Sequence, residues 1–140
     1  MKRALLLLTI GCGPQAATEC RAQGLEFFIS YQADCRRVAQ NVDQARTHLD
    51  ALGLKWPRVP VYVHDEEPIT VEGQRMLGAY RFFVPSGGRI DLARSGRSLL
   101  HELIHASEAH FYNVKHEGWS TLGYYEADRV YKASVGSLAE

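Results

Sequence analysis

The chain has 140 residues, 46% of them hydrophobic and 23% charged, which suits one globular domain that can bury its own core. Lys and Arg number 16 and Asp and Glu 16, so the charges balance and no basic stripe offers itself to a nucleic acid. No run of 18 apolar residues and no internal repeat is present, which argues against a membrane-spanning helix and a repeat array.

Taken in chain order, the first twelve residues stand apart. Met1-Lys2-Arg3 is a short positive start, Ala4 to Ile10 is apolar, and Gly11-Cys12-Gly13-Pro14 breaks the run. That pattern is expected of an export signal over residues 1–12. Its end, Thr9-Ile10-Gly11-Cys12, resembles the bacterial lipoprotein signal, which implies a lipid on Cys12 as the one membrane attachment. An ordinary secretory signal is the alternative. Residues 13–24 are small and polar and read as a tether, leaving 25–140 as a single domain. In an oxidising compartment Cys20 and Cys35 are expected to pair as a disulfide.

Leu25 to Tyr31 is rich in aromatic and β-branched residues and predicts a strand. Asp34 is placed to cap a helix on which Cys35, Val38, Val42, Ala45, Leu49 and Leu52 share one face, with Gly53 and Pro57 ending it. Val59 to His64 predicts a second strand. The stretch 66–78 is ambiguous. Residues 79–84 and 89–93, around Pro85-Ser86-Gly87-Gly88, predict a hairpin. Ser95 or Ser98 can cap a helix over roughly 96–112, and Ser120 a last helix over 121–134. The expected fold class is α+β, with a small, mainly antiparallel sheet. His48 and His64 have no partner visible in the sequence and are expected on the surface.

The chemistry is concentrated in His101-Glu102-Leu103-Ile104-His105, an HExxH motif. On a helix, positions i and i+4 lie one turn apart on one face, so the two imidazoles can share a Zn²⁺ ion. Glu102 projects beside such a metal and is the expected general base, taking a proton from water and passing it to a leaving amine. Apolar neighbours Leu99, Leu100, Leu103 and Ile104 half-bury the helix, a poor setting for two unliganded histidines.

With its preceding segment Arg89-Ile90-Asp91-Leu92-Ala93, this motif resembles the core of the zincin superfamily, and its small gluzincin-like members in particular. The resemblance spans about 59–131. It implies a minimal zincin domain, an edge strand that binds extended peptide beside the active-site helix, and peptide-bond hydrolysis.

A catalytic zinc takes three protein ligands. Glu126, 21 residues after His105, is the leading candidate, since gluzincins carry a Glu at a similar separation on the next helix. Trp119-Ser120-Thr121-Leu122-Gly123-Tyr124-Tyr125-Glu126 resembles their Trp-x-x-Glu-Gly-x-x-Glu segment. It departs from it at Leu122, which stands where that segment carries the ligand. His116 is the alternative, because His116-Glu117-Gly118-Trp119 resembles the SprT-like group; Glu117 and Asp128 are further carboxylates in reach. His110 is disfavoured, lying about 140° around the helix from His105. Tyr112, Tyr124, Tyr125 and His116 are candidates to steady the oxyanion.

The expected function is therefore zinc-dependent hydrolysis of a peptide or protein substrate by an exported, envelope-bound or secreted enzyme. The alternative is a zincin-fold binding module of the cell envelope without catalysis, motivated by Leu122.

Overall fold

A computed structural model of the chain describes residues 16–83, 87–112 and 123–139. The signal segment 1–12 with Cys12, and the stretch holding His116, Glu117 and Leu122, lie outside the described residues.

The fold is α+β. A five-stranded sheet has the order β1-β2-β3-β7-β6, from β1 (Thr18–Ala22), β2 (Leu25–Ile29), β3 (Pro60–Val63), β6 (Gly78–Phe83) and β7 (Gly87–Leu92). The outer pairs β1–β2 and β6–β7 are antiparallel hairpins, whereas β2–β3 and β3–β7 run parallel. The sheet is thus mixed, a finer point than strand propensity conveys: β2 and β3 are joined by a helix, and a crossover helix allows parallel pairing. β4 (Ile69–Val71) and β5 (Gln74–Met76) form a separate small hairpin within the stretch that was ambiguous in sequence.

The segment 13–24 is not a tether throughout. Thr18–Ala22 is β1, paired along its length with β2. Polar composition concealed it because only Cys20 turns fully inward, and a disulfide joins Cys20 to Cys35 at the start of the first helix.

Alternation along the strands decides which face is covered. Leu25, Phe27, Ile29, Val61, Val63, Ile90 and Leu92 all face one side and are buried with residues of the three α-helices among the described residues. Helix α1 (Cys35–Ala51) contributes Val38, Val42, Ala45 and Leu49, the stripe expected from the sequence, and Asp34 caps it by accepting from the Arg36 N–H at 2.9 Å. Helix α2 (Leu99–Ser107) contributes Leu99, Leu100, Leu103 and Ile104, and α3 (Tyr124–Ser134) contributes Tyr124 and Tyr131.

The opposite sheet face carries Phe28, Tyr62, Arg89 and Asp91. Phe28 stacks on Tyr62 with ring centroids 5.0 Å apart, and the Arg89 guanidinium lies 3.8 Å over the Tyr62 ring. Asp91 is 1% exposed and is held by Arg89 at 2.6 and 2.9 Å, Arg81 at 2.8 Å and His64 at 2.8 Å. His64 therefore has a partner that sequence adjacency did not reveal, because Asp91 comes from the neighbouring strand β7. His48 likewise meets a ring edge-on, that of Tyr131 at 6.2 Å.

Candidate metal and catalytic site

β6 is an edge strand of the sheet, and α2 packs against its inner face. Between them opens a cleft of about 640 Å³, bordered on its far side by the β4–β5 hairpin. Helical spacing turns His101 and His105 to this cleft together, with ring centroids 4.8 Å apart. Glu102 lines the same cleft and is 5% exposed.

Glu102 sits hard against the edge strand. The Tyr80 backbone N–H donates to its carboxylate. A Cβ at Gly78 would come within 2.9 Å of the Ser98 Cβ and 3.2 Å of both the Glu102 Cγ and Oε2, so the close approach of β6 to α2 depends on the missing side chain. Burial pushes the Glu102 carboxyl up to about 7; the charge of His101 opposes this and that of Asp128 adds to it. A carboxyl so placed is poised to exchange protons near neutral pH.

Asp128, on the buried side of α3, brings its Oδ2 to 3.7 Å from the His101 Nδ1 and to 3.0 Å from the Lys132 Nζ. Burial alone would raise its pKa, but His101 and Lys132 together hold it below the ordinary carboxylate value. With Nδ1 turned to Asp128, the His101 Nε2 is the ring nitrogen left to face elsewhere.

Glu126 is placed differently. Its side chain is 67% exposed and is paired with Arg129 at 2.6 Å, one turn on along α3. The structure thus brings Asp128, and not Glu126, against His101. Residues two apart on a helix point about 200° apart, so only one of them can face α2.

The donor set fits zinc in kind, since two neutral imidazoles on one helix face are suitable ligands. Among the described residues, however, no three His, Cys, Asp or Glu side chains gather closely enough to hold a metal ion. His116 and Glu117 lie outside the described residues. His110 is turned from the two histidines: its Nε2 is 2.7 Å from the Tyr80 hydroxyl. Of the oxyanion candidates, Tyr124 is buried in the core and Tyr125 is 62% exposed, while the Tyr112 side chain and His116 are outside the described residues.

Two features of the site were missed in the sequence. Glu108, 2% exposed, lines the cleft beyond His105; the spacing 101, 105, 108 was a legible signal. It opens one turn of π-helix, Glu108–Tyr112, a distortion that often marks a functional segment. The Tyr80–His110 bond joins strand to helix across the end of the cleft and had no signal in the sequence.

The chain matches no protein-family model, no curated protein and no solved structure.

Proposed function

We propose that this chain is a zinc-dependent peptidase, exported to the cell envelope or secreted. The observation that supports this best is the meeting of His101, Glu102 and His105 in one cleft, directly beside the free edge of β6. His101 and His105 are the proposed ligands. When bound, zinc would supply a Lewis acid that polarises the peptide carbonyl and acidifies water.

The rest of the chemistry belongs to the chain itself. The Glu102 carboxylate takes a proton from the attacking water and delivers it to the departing amine nitrogen. The Asp128 carboxylate, 3.7 Å from the His101 Nδ1, favours a proton on that nitrogen and so orients the ring electrostatically, with Lys132 balancing its charge. Among the described residues no strand pairs with the outer side of β6, which leaves room there for an extended peptide. Leu77 C=O accepts from the Ala93 N–H at 2.9 Å, on the inner side of the strand, whereas the Tyr80 N–H turns outward to Glu102. By alternation the amides of Gly78 and Phe82 and the carbonyls of Gly78, Tyr80 and Phe82 point to the outer edge, where a peptide can add as a further strand, while the Tyr80 amide is taken by Glu102.

For the third ligand we propose Glu126 if α3 turns so that Asp128 leaves His101, and His116 as the alternative if α3 stays as it is. Glu126 would have to leave Arg129 to serve.

The export signal over 1–12, with a lipid on Cys12, remains part of this proposal. Among the described residues no helix is long and apolar enough to cross a membrane.

The second reading is a zincin-fold binding module without catalysis. It is favoured by the absence of a three-ligand group among the described residues and by the pairing of Glu126 with Arg129.

One experiment separates the two. Zinc is measured per chain in the purified mature protein and in Glu126→Ala and His116→Ala, with hydrolysis of a quenched fluorescent peptide library measured alongside. The peptidase reading expects about one zinc per chain, lost in the variant that removes the third ligand. It also expects turnover that falls about 10²- to 10⁴-fold in Glu102→Gln with zinc retained. Full activity in Glu102→Gln would exclude this mechanism; no zinc after reconstitution would favour the binding module.

A further inference from the structure

Towards the C-terminus of β6, Tyr80 at the rim of the cleft meets His110, and Phe82 meets the same imidazole just beyond the cleft. Gly88, beside Tyr80 on β7, gives the Tyr80 ring its place: a Cβ there would lie 2.4 Å from two of the tyrosine's ring and hydroxyl atoms. The ring so seated holds His110 through the 2.7 Å bond from hydroxyl to Nε2. Phe82 meets the same imidazole edge-on at 5.7 Å, yet 55% of it stays exposed. The register Phe82↔Gly88 puts no side chain beside it on β7. A phenyl ring is thus left open on the inner side of a free sheet edge, supported from behind by a hydrogen-bonded pair.

We propose that this shelf of Phe82, Tyr80 and His110 is a subsite for an aromatic or large aliphatic side chain of the substrate, two residues along from the bond that is cut. The inference rests on the reading that an extended peptide lies along β6. The Glu102 carboxylate lies against β6 between Gly78 and the Tyr80 backbone, which sets the reacting bond at this level of the strand. Strand residues alternate in facing, and two residues advance the chain by about 6.8 Å. A peptide residue two positions on therefore falls opposite Phe82, with its side chain on the same face as the phenyl ring and in contact range. Aromatic pairs across strands favour such a neighbour.

The test uses the zinc-loaded mature protein and quenched fluorescent alanine-rich peptides in which a single phenylalanine is moved position by position. The expected result is one preferred position, with kcat/KM on the order of tenfold or more above the phenylalanine-free peptide. Fragment masses should place the cut two residues from the phenylalanine. The preference should fall to about one in Phe82→Ser, and fall in part in His110→Ala, with melting curves confirming that both variants fold. Anisotropy of the labelled peptides on Glu102→Gln should give the same order of binding.

A flat profile in the wild type, or a preference unchanged in Phe82→Ser, overturns the subsite while leaving the peptidase reading in place. Phenylalanine-selective binding that Phe82→Ser abolishes, without turnover by the wild type, supports the subsite and overturns the peptidase reading. A dimer dissolved by Phe82→Ser, with no peptide preference, overturns the subsite in favour of a contact between copies. Neither binding nor turnover overturns both.

Discussion

The Nδ1 of His101 on α2 faces the Oδ2 of Asp128 on α3 at 3.7 Å, and the same carboxylate oxygen lies 3.0 Å from the Lys132 Nζ. Two helices are tied through the imidazole that is proposed to hold the metal. A partner of this kind fixes which ring nitrogen is protonated and how the ring is aimed.

Asp128→Asn should therefore weaken zinc binding by about 10–100-fold. Competition with a chromophoric chelator measures this directly. The exposed Glu126 gives a comparison: if Glu126→Ala leaves affinity unchanged while Asp128→Asn lowers it, orientation of His101 through α3 matters and Glu126 is not a ligand. Equal zinc affinity in Asp128→Asn and the wild type would remove Asp128 from the site.

Gly78 sets the distance between β6 and Glu102. In Gly78→Ala the new methyl group meets the Ser98 Cβ at 2.9 Å and Glu102 at 3.2 Å, so strand and helix must separate by some tenths of an ångström. Overpacking of this sort costs about 1–3 kcal/mol. Urea unfolding should show that loss, and peptide hydrolysis should fall by more than the small change in folded fraction explains. Activity equal to wild type would mean that the position of Glu102 tolerates the shift.

The opposite face of the sheet predicts an acid-sensitive element. Burial would raise the Asp91 pKa, but Arg89, His64 and Arg81 outweigh it and hold the group below its ordinary value of 3.8. A carboxylate lowered on folding contributes its stability fully above that ordinary value and loses it as pH falls through the lowered one. The wild type should thus lose stability below about pH 3.8. Asp91→Asn should be less stable by about 1–3 kcal/mol at pH 7, since it leaves the partly exposed Arg81 and Arg89 without their buried counter-charge, and the gap should narrow towards pH 2. Chemical unfolding at a series of pH values checks both; a pH-independent gap would contradict the ion-pair account.

The Cys20–Cys35 disulfide closes a loop of 15 residues between β1 and α1. In the chain-entropy model a loop of that length is worth about 3 kcal/mol. Reduction, or the double replacement Cys20→Ser with Cys35→Ser, should lower the melting temperature and speed amide exchange first in β1, a terminal strand of the sheet. Identical melting with and without reductant would show that β1 is held by its ladder alone.

Local patterns determined much of this protein. The run Val38, Val42, Ala45, Leu49 repeats at helical spacing and is the buried face of α1. His101, Glu102 and His105 are bound together by one helix turn, so their convergence follows from five consecutive residues whatever the rest of the fold does. The 79–93 hairpin and the Cys20–Cys35 pair were likewise readable, from turn residues and cysteine count. What only the tertiary structure decided is relative rotation and registry between elements distant in sequence. The roll of α3 about its axis turns Asp128 inward and leaves Glu126 to Arg129, though both residues are carboxylates two positions apart. Strand order puts Asp91 beside His64 and makes the two central pairings parallel. Packing of β6 on the end of α2 joins Tyr80 to His110. These relationships depend on how whole faces fit together, a sum of many weak contacts that no short window of sequence contains.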